Sequence, residues 1–127
     1  MRLVHRGERS EDSPGSDDDD REPTVLADDV DVARSTLEQG RGLMFRRSIP
    51  DGYALVFPFD GVDARWLHMV FVPFAIDALW VVDGEVQKRA RLAPFVGLGR
   101  AQADTVVELP AGAAAGVAVG DEVRLVE

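Results

Sequence analysis

The sequence predicts a mainly β fold of the α+β kind: a single compact barrel-like or sandwich-like domain with one short helix near residues 36–45. Three observations carry this expectation. Short runs of Val, Ile, Leu and aromatic residues recur between Gly- and Asp-bearing turns, the spacing of many short strands. Asp83-Gly84 stands between two apolar runs as the strongest short hairpin signal. Ser35-Thr36-Leu37-Glu38 is a capping box, in which the Ser hydroxyl takes the Glu38 N–H and the Glu38 carboxylate reaches back to the Ser35 N–H. The 127 residues suit one domain that buries about two-thirds of the surface its unfolded chain exposes.

Met1–Arg6 and Thr24–Ala33 read as strands of a hairpin with an expanded loop, since each doubling of a flexible loop costs only ~0.6 kcal/mol. Between them, Glu8–Glu22 has no Val, Ile, Leu or aromatic residue and carries four consecutive aspartates, Asp17 to Asp20. Such a segment has too little to bury to offset its ordering entropy, so a disordered acidic insertion at 8–22 is expected. It lacks the alternating Asx spacing and glycine of a calcium loop. The chain therefore divides into residues 1–31, N-terminal strands around that insertion, and a β-rich domain over 32–127.

Gly40 and Gly42 weaken the capped helix by ~1 kcal/mol each, so it should run only to about Phe45. Tyr53–Phe59 is the next strand, closed by Asp60-Gly61. Ile76–Val82 and Glu85–Leu92 flank the two-residue turn, which predicts Val82 opposite Glu85, Val81 opposite Val86, Leu79 opposite Lys88 and Asp77 opposite Ala90. On that register Asp77 sits on a mainly apolar face, while Trp80, Ala78 and Ile76 share a half-exposed face with Gln87, Arg89 and Arg91. Gly97–Arg100 reads as a turn and Thr105–Leu109 as a strand ended by Pro110. Ala111–Ala115 then suits one helical turn, and Val123–Val126 is the last strand.

The net charge is −9, from 14 Lys plus Arg against 23 Asp plus Glu. Residues 1–31 hold −7 of it. Thirteen of the 14 basic residues are Arg, and Asp outnumbers Glu 15 to 8. A halophile is the expected source, because at molar salt the Debye length falls to ~3 Å and self-repulsion costs little; the alternative is a GC-rich genome that favours Arg codons. An acidic chain with no basic stripe is a poor nucleic-acid binder. With no Cys, thiolate and disulfide chemistry are excluded. The longest apolar stretch, Trp66–Trp80, is interrupted by His68, Pro73 and Asp77, so no membrane span is expected. The N-terminus lacks a secretory signal, and the expected location is the cytoplasm.

Arg41-Gly42-Leu43-Met44-Phe45-Arg46, then Ala54-Leu55-Val56-Phe57, His68-Met69 with Ile76-Asp77 eight residues on, Asp83-Gly84, Val107-Glu108-Leu109-Pro110-Ala111-Gly112 and Gly120-Asp121-Glu122-Val123 follow one another in an order similar to the domain of unknown function family numbered 192. The resemblance covers about 33–127 and implies a compact β-rich barrel or sandwich with one short helix. It implies no established activity, substrate or cofactor. With the Asp- and Arg-rich composition, it points to a halophilic archaeal member. The chain departs from the family pattern at His68-Met69-Val70-Phe71 and at Ala75-Ile76-Asp77.

The candidate catalytic residues are His68 and Asp77. A core-facing Asp77 needs a partner such as Arg41, Arg46 or a cluster of backbone N–H groups. It is then either a ligand-anchoring or acid/base carboxylate beside His68, or a structural Asp tying the helix segment to the sheet. Neither Ser35 nor Ser48 sits in a nucleophile elbow, so Ser-His-Asp hydrolysis is not expected. His68, Asp77 and Glu108 have no close-spaced ligand pair, so neither a metal nor a cofactor is expected. Met44 and Met69 read as core. Arg41, Arg65, Trp66, His68, Phe71 and Asp77 suit a cleft for a small polar ligand with a flat apolar face, such as a sugar. The leading function is thus a ligand-binding or interaction module for an unknown small molecule or protein. The alternatives are a hydrolase-like or lyase-like enzyme using His68 and Asp77, and a structural accessory protein that pairs a strand edge.

Overall fold

In order along the chain, the elements are β1 (Arg2–Arg6), β2 (Thr24–Ala27), β3 (Asp29–Val32), α1 (Thr36–Arg41), β4 (Tyr53–His68), β5 (Ile76–Val82), β6 (Glu85–Leu92), β7 (Leu98–Pro110) and β8 (Glu122–Val126). The computed structural model describes residues 1–7 and 22–127. All of the expected acidic insertion except Glu22 lies outside the described residues.

The eight strands form one sheet in the order β2-β1-β8-β6-β5-β7-β4-β3. β2 and β3 occupy opposite edges, yet only Asp28 separates them in sequence. A sheet whose edges are one residue apart has to curl round on itself. No ladder joins those edges among the described residues, so the curl is not a closed barrel. The amides of Asp28 and Asp29 both donate to the Gly52 carbonyl at 3.0 Å, which pins the corner. β1 pairs with β2 as the sequence predicts, and also with β8.

Successive side chains of a strand point to opposite faces, and here both faces are buried. Leu3, Val56, Leu79, Val81, Val86, Val107, Leu109 and Val123 form one core. The alternate positions Tyr53, Leu55, Phe57, Ile76, Ala78, Trp80 and Val106 form the other, joined by Leu43, Met69 and Val72 from the turns. The expected half-exposed face of β5 is therefore fully covered: Trp80 and Ala78 are 0% exposed.

What covers Trp80 is the far half of its own sheet. Trp80 pairs with Val106, seven residues beyond Gly99. In a straight strand that separation is roughly 23 Å, far beyond an indole's reach. Yet its Nε1 donates to the Arg65 carbonyl at 2.9 Å, and its ring lies against Gly99. The β4/β7 ribbon must bend over, and it does so where the register breaks between Pro58 and Asp63. The sequence reading ended a strand at Asp60-Gly61 and placed a turn at Gly97–Arg100. Instead the chain continues as bent β4, and Leu98–Arg100 pair with Trp66–His68. A Cβ at Gly99 would lie 2.6 Å from Trp80 Cη2. Gly99→Ala is expected to cost about 1–3 kcal/mol in urea unfolding, as overpacking does. An unchanged midpoint would mean the ribbon is not clamped on the indole.

The β5/β6 register also differs from the expected one. It shifts between Trp80 and Val81, so Trp80 pairs with Lys88, Leu79 with Arg89 and Asp77 with Arg91. Gln87 is the extra residue of a bulge. Without it, Arg89 and Arg91 would point into the layer of Trp80 and Ala78, where an unpaired charge is costly.

β3, α1 and β4 form a parallel crossover. The Ser35 hydroxyl accepts from the Glu38 amide at 3.0 Å, and the Ser35 amide donates to Glu38 Oε1 at 3.3 Å. The helix stops at Arg41 and not Phe45, because Gly42 turns out of the helix at φ 49°. That early stop leaves the turns 42–46 standing beside β4 and β7.

Candidate functional site

Between α1 with its following turn and the bent β4/β7 ribbon lies an open cleft of about 450 Å³. Arg41, Gly42, Leu43 and Gln39 form one wall, and Phe59, Arg65, Trp66 and His68 of β4 the other. Phe57, Val106 and Glu108 line its base. Four predicted site residues, Arg41, Arg65, Trp66 and His68, therefore share one cleft.

Their chemical freedom differs. Arg65 is committed: it donates to the carbonyls of Ala103 (3.2 Å) and Gly61 (2.8 Å), and its guanidinium stacks 4.1 Å over the Phe59 ring. It is a rigid wall. Arg41 is exposed, and no ion-pair partner reaches it among the described residues. The His68 Nδ1 accepts from the Val70 amide at 3.3 Å, so in the neutral ring Nε2 carries the proton. Trp66 is exposed, with the Arg100 guanidinium 5.3 Å from its ring centre.

Asp77 does not join them. Ile76 and Ala78 belong to the core beside the cleft, so strand alternation turns Asp77 to the opposite face. There it is buried, accepting from Arg91 Nε (2.9 Å), the Gly112 amide (2.9 Å) and the Ala114 amide (3.0 Å). His68 and Asp77 thus lack the common cavity that an acid/base pair requires. The partner is Arg91, not Arg41 or Arg46, and the tied segment is the turn after β7, not the helix. Phe71 also lies outside the cleft, its ring stacked on Phe45 at 4.9 Å. Both residues, with Phe95, take positive φ (60°, 70° and 64°). Such backbone costs a non-glycine residue ~1–2 kcal/mol.

The most perturbed group in the cleft is Glu108. It is 7% exposed, and Gly42 and Phe57 lie over it. No hydrogen bond among the described residues engages its carboxyl oxygens, which keep some exposure of their own. Burial pushes its pKa up to about 8, against the opposing pull of the Arg46 charge. Glu108 stands in the Val107–Gly112 block that carries the family resemblance, but no catalytic or ligand-binding motif marks it. Its sequence signal is a carboxylate in the buried run Val106-Val107-Glu108-Leu109, where period and burial call for an apolar residue. Among the described residues no three His, Asp or Glu side chains gather to hold a metal ion.

The curled sheet with its helix-flanked cleft defines a small, mainly β domain whose one sheet supplies both cores. The chain belongs to the DUF192 family (Uncharacterized ACR), which matches residues 18–125. It is similar to the crystal structure of a putative transcription regulator from Sinorhizobium meliloti 1021, 19% identical, with 97% of this chain and 92% of that chain covered and a TM-score of 0.74. It is also similar to a protein of unknown function from Novosphingobium aromaticivorans DSM 12444, 23% identical, with 97% and 84% covered and a TM-score of 0.70. These likenesses show the fold alone. No curated protein matches the sequence. No helix among the described residues is long and apolar enough to cross a membrane.

Proposed function

We propose that the domain binds a small hydroxylated ligand of monosaccharide size in the cleft bounded by Arg41, Arg65, Trp66, His68 and Glu108. The observation that carries this reading is Glu108, a buried carboxyl with no protein donor at its oxygens, facing a cleft of about 450 Å³. Below pH 8 it is mostly the neutral acid, which both donates and accepts and so matches a sugar hydroxyl. Phe57 and Phe59 offer an apolar face to a ring. Arg41 at the mouth suits an acidic substituent.

The test is thermal denaturation of the whole chain in molar KCl with glucose, myo-inositol and glucuronate. A ligand present at 100 times its Kd stabilises the native state by ~2.7 kcal/mol, roughly 10 °C in a domain of this size. Glu108→Leu and Arg41→Ala should each diminish that shift. No shift with any of the three, or the same shift in both variants, sinks the reading.

The finer reading of the charge, a halophilic archaeal protein, rests on the Asp-rich, Lys-poor composition. A melting temperature that rises as KCl goes from dilute to molar supports the halophile. One that falls overturns it.

A further inference from the structure

Three turns meet at the end of the molecule where β5 begins and β6 stops. The Phe45 amide donates to the Phe71 carbonyl (2.9 Å), the Phe95 amide to the Val72 carbonyl (3.0 Å) and the Met69 amide to the Gly97 carbonyl (3.1 Å). This framework holds Phe45, Phe71 and Phe95 at 64, 55 and 58% exposure. Each ring is disfavoured twice. It faces water, and it stands on left-handed backbone that glycine adopts without strain. Three of the four non-glycine residues with positive φ among the described residues are these phenylalanines. Neither stability nor solubility accounts for aromatic residues there, and none of the three rings lines the ligand cleft.

The charge of the segments that carry them runs against the rest of the chain. Segments 41–50, 64–76 and 92–103 contain Arg41, Arg46, Arg47, Arg65 and Arg100 and no Asp or Glu, in a protein of net charge −9. Asp83 and Glu85 lie at the opposite end of the β5/β6 hairpin. Apolar rings carried on segments whose charged residues are all arginine match a surface that is negatively charged outside and apolar beneath. The rings sit on turns and not around a groove, which suits a soft occupant able to close round each of them. We propose that this end of the molecule docks on an anionic lipid surface, with Phe45, Phe71 and Phe95 entering the interface and Arg47 and Arg100 meeting the headgroups. Two signals of this kind, apolar insertion and basic attraction, are what reversible membrane attachment needs.

The test is co-sedimentation of the whole chain with vesicles of phosphatidylcholine alone or mixed with phosphatidylglycerol, at the lowest KCl at which circular dichroism shows the native fold. Partition should be about tenfold stronger onto the anionic vesicles and should weaken as KCl rises. A triple variant, Phe45→Gly, Phe71→Gly and Phe95→Gly, should lose about tenfold in partition while melting no lower than the parent. In the unaltered protein, brominated lipid should quench Trp66, which is exposed and pairs across the ladder with Arg100. Absence of binding to anionic vesicles, binding unchanged in the triple variant, or no quenching overturns the proposal. So does a solution dimer that the triple variant converts to monomer, since the rings would then seal two copies together.

Discussion

Replacing Glu108 by Gln stabilises the protein by an amount that grows with pH. In the unfolded chain a glutamate ionises around pH 4.5, whereas in the folded protein Glu108 holds its proton up to about pH 8. Between those values the folded state binds more protons than the unfolded state. Stability from this residue is therefore fully present below pH 4.5 and is lost as pH rises to about 8. At ~1.4 kcal/mol per pH unit the loss is on the order of 4–5 kcal/mol by pH 8. Gln keeps the shape and cannot ionise, so parent and variant should unfold alike near pH 4.5 and diverge steadily above it. Urea titrations at several pH values measure the gap. A difference that stays flat from pH 5 to 9 would show that Glu108 is not desolvated in the folded protein. A buried ionisable group retained against this penalty is the mark of a residue kept for something other than stability.

Asp77→Ala acts in the opposite direction. It strips the acceptor from two backbone amides, those of Gly112 and Ala114, and from the Arg91 guanidinium. Leaving buried donors unmet costs ~1–3 kcal/mol apiece, so a loss of roughly 3–5 kcal/mol is expected in chemical denaturation. Asp77→Asn, which keeps one oxygen, should lose about half as much. Arg91→Ala should cost no more than ~1 kcal/mol, because that side chain is 58% exposed and the two amides keep their acceptor. Equal losses for Asp77→Ala and Arg91→Ala would show that the ion pair, and not the amide clamp, holds the turn after β7.

The parts of this fold that the sequence discloses are those decided within a few residues. The capping box at Ser35 and the Asp83-Gly84 turn depend on neighbouring side chains and backbone preference alone, and both form as expected. The bulge at Gln87 does not announce itself, because it is chosen by where Arg89 and Arg91 must point once the sheet has assembled. The same holds for the bend between Pro58 and Asp63, where an Asp-Gly pair that ordinarily ends a strand sits inside one. Arg41, Arg65, Trp66 and His68 were placeable together because they flank the segments that meet. Asp77 was not, since a strand buried on both faces gives no local sign of which face is which. Glu108 is legible as part of the Val107–Gly112 block and as a carboxylate in an apolar run, but the sequence offers it only as a weak metal ligand and does not show that it faces the cleft. Phe71 was legible as apolar, but its stacking on Phe45 depends on a hydrogen bond between two turns distant in sequence.

The pairing of β1 with β8 has a kinetic consequence. His5 Nε2 lies 2.7 Å from Asp121 Oδ2 across 116 residues of sequence, and Arg2–Arg6 is a full partner of Glu122–Val126. One of the two neighbours of β1 therefore lies more than 100 residues along the chain, and loop-closure entropy is spent long before that contact can return anything. Folding should be slow for the size of the domain, on the scale of milliseconds to seconds. During translation the core that Leu3 and Val123 share would stay open on one side until β8 has been made and can pair with β1.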